Sequence, residues 1–455
     1  MVYVTFAFLL ISIASFFMVP LSFSREFCIW EMVTFMIVAV LFLQHKVRRN
    51  GIICFDMFFI PTFLLINYAH AVFIYPDDGF LPPFQFPTNV ELIPYAVSVA
   101  QMGIAFYMFG NMVFEKDVQD KKVLKAEIPK MAVNRIAIVS FVASLAVFCY
   151  VIVLRLAAAF QHLYPRLMTM ILSLIALSWF FQTQQLNAED HSFFGMLRKN
   201  KMNIASTLLF SLSQLFIGSR AVVLFLLFIL LLLTNIYYYR IRFRLLLPVM
   251  LLGMLLMGFL AIIRVSSYNL SNVNFMDAFK YGVEVIIDSP SILWLFLSDF
   301  VVNAKTLYDA VDFTRLNGFL MGTSYVQYLF VFLPMGGSFF TKLLTGLDMD
   351  EVRTGNILTS FSDATYGLGT NMVGDLYMNF SFLGVIILMF LLGMLVARVE
   401  IPNSKYQLYA YMALFANCIY LVRADIFSWL TFFVFFLIFD WLLRIHIVYD
   451  EDITD

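Results

Sequence analysis

The sequence predicts an all-α polytopic membrane protein, and three observations carry that prediction. The first is composition. Of 455 residues, 62% are hydrophobic, 18% aromatic and only 13% charged, with a mean hydropathy of +0.88; an ordinary soluble domain carries roughly 25% charged residues and is about half apolar. The second is run length: about twelve stretches approach the ~20 apolar residues that a helix needs to cross a hydrocarbon core of ~30 Å. The third is the placement of lysine and arginine, which fall in alternate connections, as cytoplasmic loops require.

The runs lie at 1–23, 28–44, 52–74, 93–114, 134–160, 167–181, 203–218, 221–239, 245–264, 375–397, 406–422 and 424–443. The first has no basic leader and no A-x-A cleavage site, so it reads as a retained span. One set of connections holds Lys46, Arg48 and Arg49; Lys116, Lys121, Lys122, Lys125, Lys130 and Arg135; Arg198, Lys199 and Lys201; Arg240, Arg242 and Arg244; Arg398 and Lys405; and Arg444. The connection from Tyr75 to Ile93 on the other side has Asp77, Asp78 and Glu91 and no lysine or arginine. Arg25 and Arg166 are isolated exceptions in short outer loops. Both termini are therefore expected in the cytoplasm. The chain divides into nine spans over 1–264, an external segment over 265–374, and three spans with a short cytoplasmic tail over 375–455.

The external segment is acidic, with Asp277, Glu284, Asp288, Asp299, Asp309, Asp312, Asp348, Asp350, Glu351 and Asp363. A connection of this length is expected to fold, here as a partly interfacial cap with amphipathic helices. Its apolar stretches are 291–302 and 319–335, and the second is long enough to raise the question of a further span.

Several function classes are excluded. A formal net charge of -1 offers no surplus of cations for nucleic acid. Cys28, Cys54, Cys149 and Cys418 sit in apolar runs without CxxC spacing, which suits neither a disulfide framework nor a thiolate metal site. No Walker loop, GxSxG or HExxH is present. The Asp348-Met349-Asp350 spacing arises readily in so acidic a segment, and two aspartates alone do not satisfy a hard cation. No metal or cofactor is expected. His70 and His162 fall near the outer surface, where a lone histidine is more often a satisfied polar group than a base.

Four arginines break the charge rule: Arg155 near the outer end of the fifth span, Arg220 between the seventh and eighth, Arg264 ending the ninth and Arg423 ending the eleventh. Singly, each is explained by snorkelling to headgroups. Four at similar depth on one side point to a shared anion, and the planar guanidinium suits a pyrophosphate because it gives paired hydrogen bonds and keeps its charge. Gly218-Ser219-Arg220 opens a helix, which turns free amides toward the same place, although a tight helical hairpin explains the glycine equally well. In Asn371 to Gly384, Asp375 and Asn379 are four apart and share a helical face, with Tyr377 pointing away. Asp375 is either a helix-end charge or a base or orienting group for an acceptor hydroxyl.

The second half of the chain resembles the O-antigen polymerase (Wzy) family and the related common-antigen and capsule polymerases. The resemblance rests on IGSRAVVLFLLF at 217–228, Arg264, VFLPMGG at 331–337, GDLYMNFSFLG at 374–384 and YLVRADIFSWL at 420–430. Two departures stand out: Asp375 occupies a position where glutamate is common, and Ser381 one where glycine often follows the asparagine and phenylalanine. The resemblance implies a GT-C-like glycosyltransferase in a bacterial inner membrane, joining undecaprenyl-pyrophosphate-linked repeat units, donor and acceptor alike, on the periplasmic face. It implies contact with membrane lipids and with a chain-length regulator protein, and it adds Tyr377 to the substrate-binding residues. On this reading Arg220, Arg264, Arg423 and Arg155 hold the pyrophosphate, Asp375 is the first candidate base and Asp363 the second, and Arg353 and Asn379 hold sugar. The rival readings are a lipid-linked oligosaccharide flippase or other transporter, and an O-antigen ligase.

Overall fold

The computed structural model describes residues 1–116, 124–127, 130–153, 164–184, 198–217, 219–237, 291–329, 336–443 and 446–449, with isolated positions between 241 and 287. These are helical apart from one two-stranded ribbon, so the α-helical class holds. Five segments among them are long and apolar enough to cross a membrane: Arg25–Asn50, Val90–Val113, Val133–Val151, Arg220–Tyr237 and Met372–Val399. Shorter apolar helices cover Val2–Phe17, Phe55–Asn67, Leu167–Thr183 and Leu430–Leu442. The ninth expected span, 245–264, lies outside the described residues apart from Pro248 and Gly253.

The helices start and stop for local reasons. α1 (Val2–Phe17) buries Phe8 and Leu9 and satisfies the hydroxyls of Thr5 and Ser12 on carbonyls of its own preceding turn. α2 (Arg25–Asn50) opens where the Ser24 hydroxyl accepts the Phe27 amide, and it closes at Gly51, whose φ of 87° suits a residue without Cβ. α3 (Phe55–Asn67) runs on into a wider turn, His70–Ile74. α4 (Ile93–Val113) is the most enclosed candidate span, with 78% of its apolar window buried.

α5 (Lys130–Phe148), α6 (Tyr164–Gln184), α7 (Lys201–Ile217) and α8 (Arg220–Tyr237) form a neighbouring group, α5 packing on α6 and α7, and α8 on α6. β1 (Leu124–Glu127) pairs antiparallel with β2 (His446–Tyr449), so the short C-terminal tail is tied to the connection between α4 and α5.

Beyond 290 come α9 (Ile292–Val301), α10 (Asn303–Asn317), α11 (Gly336–Thr345) and α12 (Thr354–Phe361). α13 (Met372–Val399), α14 (Lys405–Ala416) and α15 (Leu430–Leu443) complete the chain. α13 begins three residues before the expected start of its span, because Asn371 accepts the Val373 and Gly374 amides and caps it.

α4 and α13 lie against each other with their backbones close. A Cβ added at Gly393 would overlap the Tyr107 carbonyl oxygen, and one at Gly110 the Phe390 carbonyl oxygen. Small residues at such crossings let apolar helices gain dispersion contact that lipid would otherwise supply.

Within 265–374, where a partly interfacial cap is expected, α10 is a core helix. Ala304, Leu307, Tyr308 and Val311 are buried against α3, α4 and α13, and its polar residues pair internally. The Lys305 ammonium meets the Pro87 carbonyl at 2.7 Å, Thr88 at 2.8 Å and Asp309 at 3.0 Å, while Ser362 donates to Asp309 at 2.6 Å. Burial pushes the Asp309 carboxyl above its ordinary range, and Lys305 and Ser362 pull the other way.

The stretch 319–329 does not continue a spanning helix. A turn at Met321 and Gly322 is followed by a 3-10 turn, Thr323–Tyr325, and one short helical turn, Val326–Leu329, because Gly322 takes a left-handed φ of 80°. Of the expected last span, 424–443, only Leu430–Leu443 is helical, and 424–429 is a run of turns.

Lys46 is also not a loop cation. α2 extends to Asn50, which leaves Lys46 one turn inside the helix and fully buried. Its ammonium meets Glu400 at 2.5 Å, Asn111 at 3.1 Å, Asp56 at 3.5 Å and Glu115 at 3.6 Å.

Candidate functional site

The cluster around Lys46 lies at one end of α13, beyond Val399. The other end, near Asp375, gathers two further groups of polar side chains.

The first group is cationic. Arg220, the first residue of α8, grips the Asp299 carboxylate with both terminal nitrogens, at 2.5 Å and 3.3 Å. Arg423 ends the 3-10 turn Tyr420–Arg423; it donates to the Asp299 backbone carbonyl at 3.0 Å and lies over the Tyr420 ring. α9 thus brings Asp299 to the point where guanidiniums from two distant segments converge. The Arg220 and Asp299 side chains keep 17% and 27% of their surface open. Arg155 and Arg264, the other two arginines expected here, lie outside the described residues, as does Gly218.

The second group is built on the first turn of α13. Asp375 is fully buried and accepts the Tyr325 phenol at 2.6 Å. Asn379, one turn on, donates to the Asp375 carbonyl at 2.9 Å and reaches its carboxylate at 3.5 Å, and it accepts the Ser324 hydroxyl at 3.0 Å. The Thr354 hydroxyl and the Ile426 amide also serve Asp375. Asp425 bears electrostatically on Asp375 from the connection between α14 and α15, with the Tyr328 phenol on its own carboxylate. Burial together with the carboxylates of Asp375 and Asp425 drives the phenols of Tyr325 and Tyr328 far above their ordinary range, so both remain hydrogen-bond donors. Asp425 Oδ1 and Ser428 Oγ are enclosed without a hydrogen-bond partner. In a native structure such an atom calls for a ligand or water.

Aromatic rings wall this group. Tyr325 stands edge-on to Phe427 at 4.8 Å and lies 5.9 Å from Phe380, with Tyr328 6.2 Å from Phe427. Arg353 lies at the rim, its Nε 3.5 Å from Gln327 and Nη1 3.6 Å from Asp350, and it bears electrostatically on Asp425 and Tyr328.

α13 breaks beside these rings. Phe380 and Ser381 leave helical geometry, with Ser381 at φ 63°, ψ -168°, a conformation that glycine favours. At the break the Met378 carbonyl accepts the Leu320 amide at 2.8 Å, which ties the 318–329 segment to the helix.

Other candidates are placed elsewhere. Tyr377 points away from Asp375 and shares a 3.1 Å hydrogen bond with Tyr95. Asp363 is exposed on the turn after α12 at φ 51°. Asp348 caps a short helix, Met349–Val352, in a reciprocal box with Glu351 and pairs with Lys342 at 2.8 Å. His70 is buried between Asp78, at 2.6 Å, and Tyr308, at 3.2 Å, and stacks on Phe84. Among the described residues no group of three His, Cys, Asp or Glu could hold a metal ion.

Sequence reasoning missed Asp299, Ser324, Tyr325, Tyr328 and Asp425 as members of the site. Only Asp425 carried a usable signal, as an acid between two apolar runs. No family model matches the chain, and neither a curated protein nor a solved structure does.

Proposed function

We propose that the protein is a membrane glycosyltransferase that polymerises undecaprenyl-pyrophosphate-linked oligosaccharide repeat units, transferring the growing chain to a new lipid-linked unit on the periplasmic face of a bacterial inner membrane. The observation that carries this reading is the convergence of Arg220 and Arg423 on Asp299, beside a polar, aromatic-walled group containing two aspartates. Glycosyl transfer from a lipid pyrophosphate develops negative charge on the leaving group, and fixed guanidiniums aimed there stabilise the transition state more than the ground state. Arg264 and Arg155 join them in this reading. Aromatic faces with amide, phenol and guanidinium groups suit a sugar ring, which presents both C–H faces and hydroxyls. Arg353 and Asn379 serve there, while Tyr377 belongs to a neighbouring wall.

The topology of this reading has twelve spans with cytoplasmic termini. Single cysteines at Lys122 and Asp350, on a background lacking the native four, are expected to react oppositely with an impermeant thiol reagent in spheroplasts.

The break in α13 supports a second reading, a lipid-linked oligosaccharide transporter, because discontinuous helices are a recurrent device of transporters. Purified protein given a synthetic lipid-linked repeat unit separates the two. Polymer with release of lipid pyrophosphate is the expected product, and movement across proteoliposomes without bond formation would favour the transporter.

A further inference from the structure

Asp375 and Asp425 lie close together but are not equivalent. Asp375 has no exposed surface, and its carboxylate already faces Tyr325, Asn379, Thr354 and the Ile426 amide. A carboxylate offers about four lone-pair sites, so little remains for a substrate hydroxyl. Asp425 is partly exposed. The Tyr328 phenol and the amides of Phe427 and of Asp425 itself lie against its carboxylate, while Oδ1 is enclosed and meets no donor. Its neighbour Ala424 is extended, at φ -136°, ψ 178°. Extended chain advances ~3.3 Å per residue, which puts the Cα atoms of Arg423 and Asp425 roughly 6–7 Å apart, about the width of one sugar ring. One short segment therefore carries both a cation of the Asp299 cluster and a carboxylate with an enclosed, unpartnered acceptor oxygen.

We propose that Asp425 is the general base of the glycosyl transfer, receiving the proton of the acceptor hydroxyl on Oδ1, and that Asp375 is a positioning residue that holds Tyr325 and the Ile426 amide around it. The inference rests on the polymerase reading above. In the step, the acceptor oxygen forms a bond to the anomeric carbon as the bond from that carbon to the pyrophosphate oxygen breaks. The electron pair leaves with the pyrophosphate toward Arg220 and Arg423, and the hydroxyl proton passes to Asp425 and then to water.

The test uses the full chain in detergent with a synthetic lipid-linked repeat unit as donor and acceptor, following polymer and released lipid pyrophosphate. If the wild type makes no polymer, the polymerase reading fails, whatever Asp425 does. With an active wild type, Asp425→Asn is expected to lower kcat by about 10²- to 10⁴-fold with KM within about twofold, the range for a lost general base. Asp425→Ala is expected to regain rate with added formate, which a merely structural residue would not show, and Asp375→Ala is expected not to. Asp425→Asn within about tenfold of wild type would overturn the assignment. So would formate rescue at Asp375 and not at Asp425, or loss of rate at Asp425 without rescue.

Discussion

The two ends of α13 hold charge in opposite ways. They are roughly 40 Å apart at 1.5 Å per residue. At one end, Lys46 is sealed among Glu400, Asp56 and Glu115, and the Tyr107 phenol donates to Asp56. His45 and Arg49 close the rim on Glu115, at 2.8 Å and 3.4 Å. At the other end the Arg220–Asp299 pair and Asp425 stay partly open. The closed cluster joins the ends of α2, α3, α4 and α13, which is what a lock between helices requires. The open one keeps Arg220 and Asp299 partly accessible. Buried charge is thus a poor guide to function by itself, and access distinguishes the two clusters.

The comparison breaks most completely at the crossing on which both ends depend. Gly393→Leu puts a side chain where the Tyr107 carbonyl oxygen sits, on the α4 backbone. Neither end can then be held in place, and the expected outcome is loss of monodisperse protein on size exclusion in detergent. A well-folded Gly393→Leu protein would show that the two helices do not approach as described.

Next comes the closed end. Lys46→Met leaves three carboxylates around a position without its cation, and removing one partner of a buried pair costs about 3–5 kcal/mol. Thermal unfolding in detergent should show a large fall in midpoint. Adding Glu400→Met should recover part of it, because one uncompensated acid is removed.

At the open end activity is expected to fall while the fold stays intact. Arg220→Ala and Arg423→Ala should each cost about 10²- to 10³-fold in polymer formation, the range for one lost transition-state donor. The thermal midpoint should move by no more than about 1 kcal/mol permits for a partly exposed pair. Lysine at either position should restore activity only in part, since it keeps the charge but loses the paired hydrogen bonds. Full rescue by lysine would indicate snorkelling.

The apolar helices were legible in the sequence, and the difference between the two ends was not. Runs at 93–114, 203–218 and 221–239 became helices Ile93–Val113, Lys201–Ile217 and Arg220–Tyr237, because hydropathy alone decides where such chain can lie. α10 escaped because its burial depends on partners far away in sequence, Pro87, Thr88 and Ser362, which no local pattern shows. Lys46 was misplaced for the same reason, since the charge that holds it is Glu400. Arg220 and Arg423 drew attention through their depth, but Asp299, on which they meet, looked like one acid among many. Tyr325 and Tyr328 were hidden in an aromatic load of 22 Tyr and 53 Phe that mostly reads as packing.

The smallest expected effect tests whether the open end is static. Ser381 stands at φ 63°, ψ -168°, in a region that costs a residue with Cβ about 1–3 kcal/mol. It is also the position where the resembled family often has glycine. Ser381→Gly removes that strain but adds about 0.5–1 kcal/mol of unfolded-chain entropy, so a net gain of about 1 kcal/mol is expected as an upward shift in thermal midpoint. Ser381→Val should move it down, because a β-branched side chain fits this backbone worse than serine. Activity then decides what the break is for. If the break only shapes the wall beside Phe380 and Tyr325, Ser381→Gly should leave polymer formation unchanged while the protein gains stability. If α13 must bend further during turnover, the freer backbone should change kcat while binding of the lipid-linked unit stays the same. A fall in midpoint for Ser381→Gly would show that the serine is not strained, and the break would then need another cause.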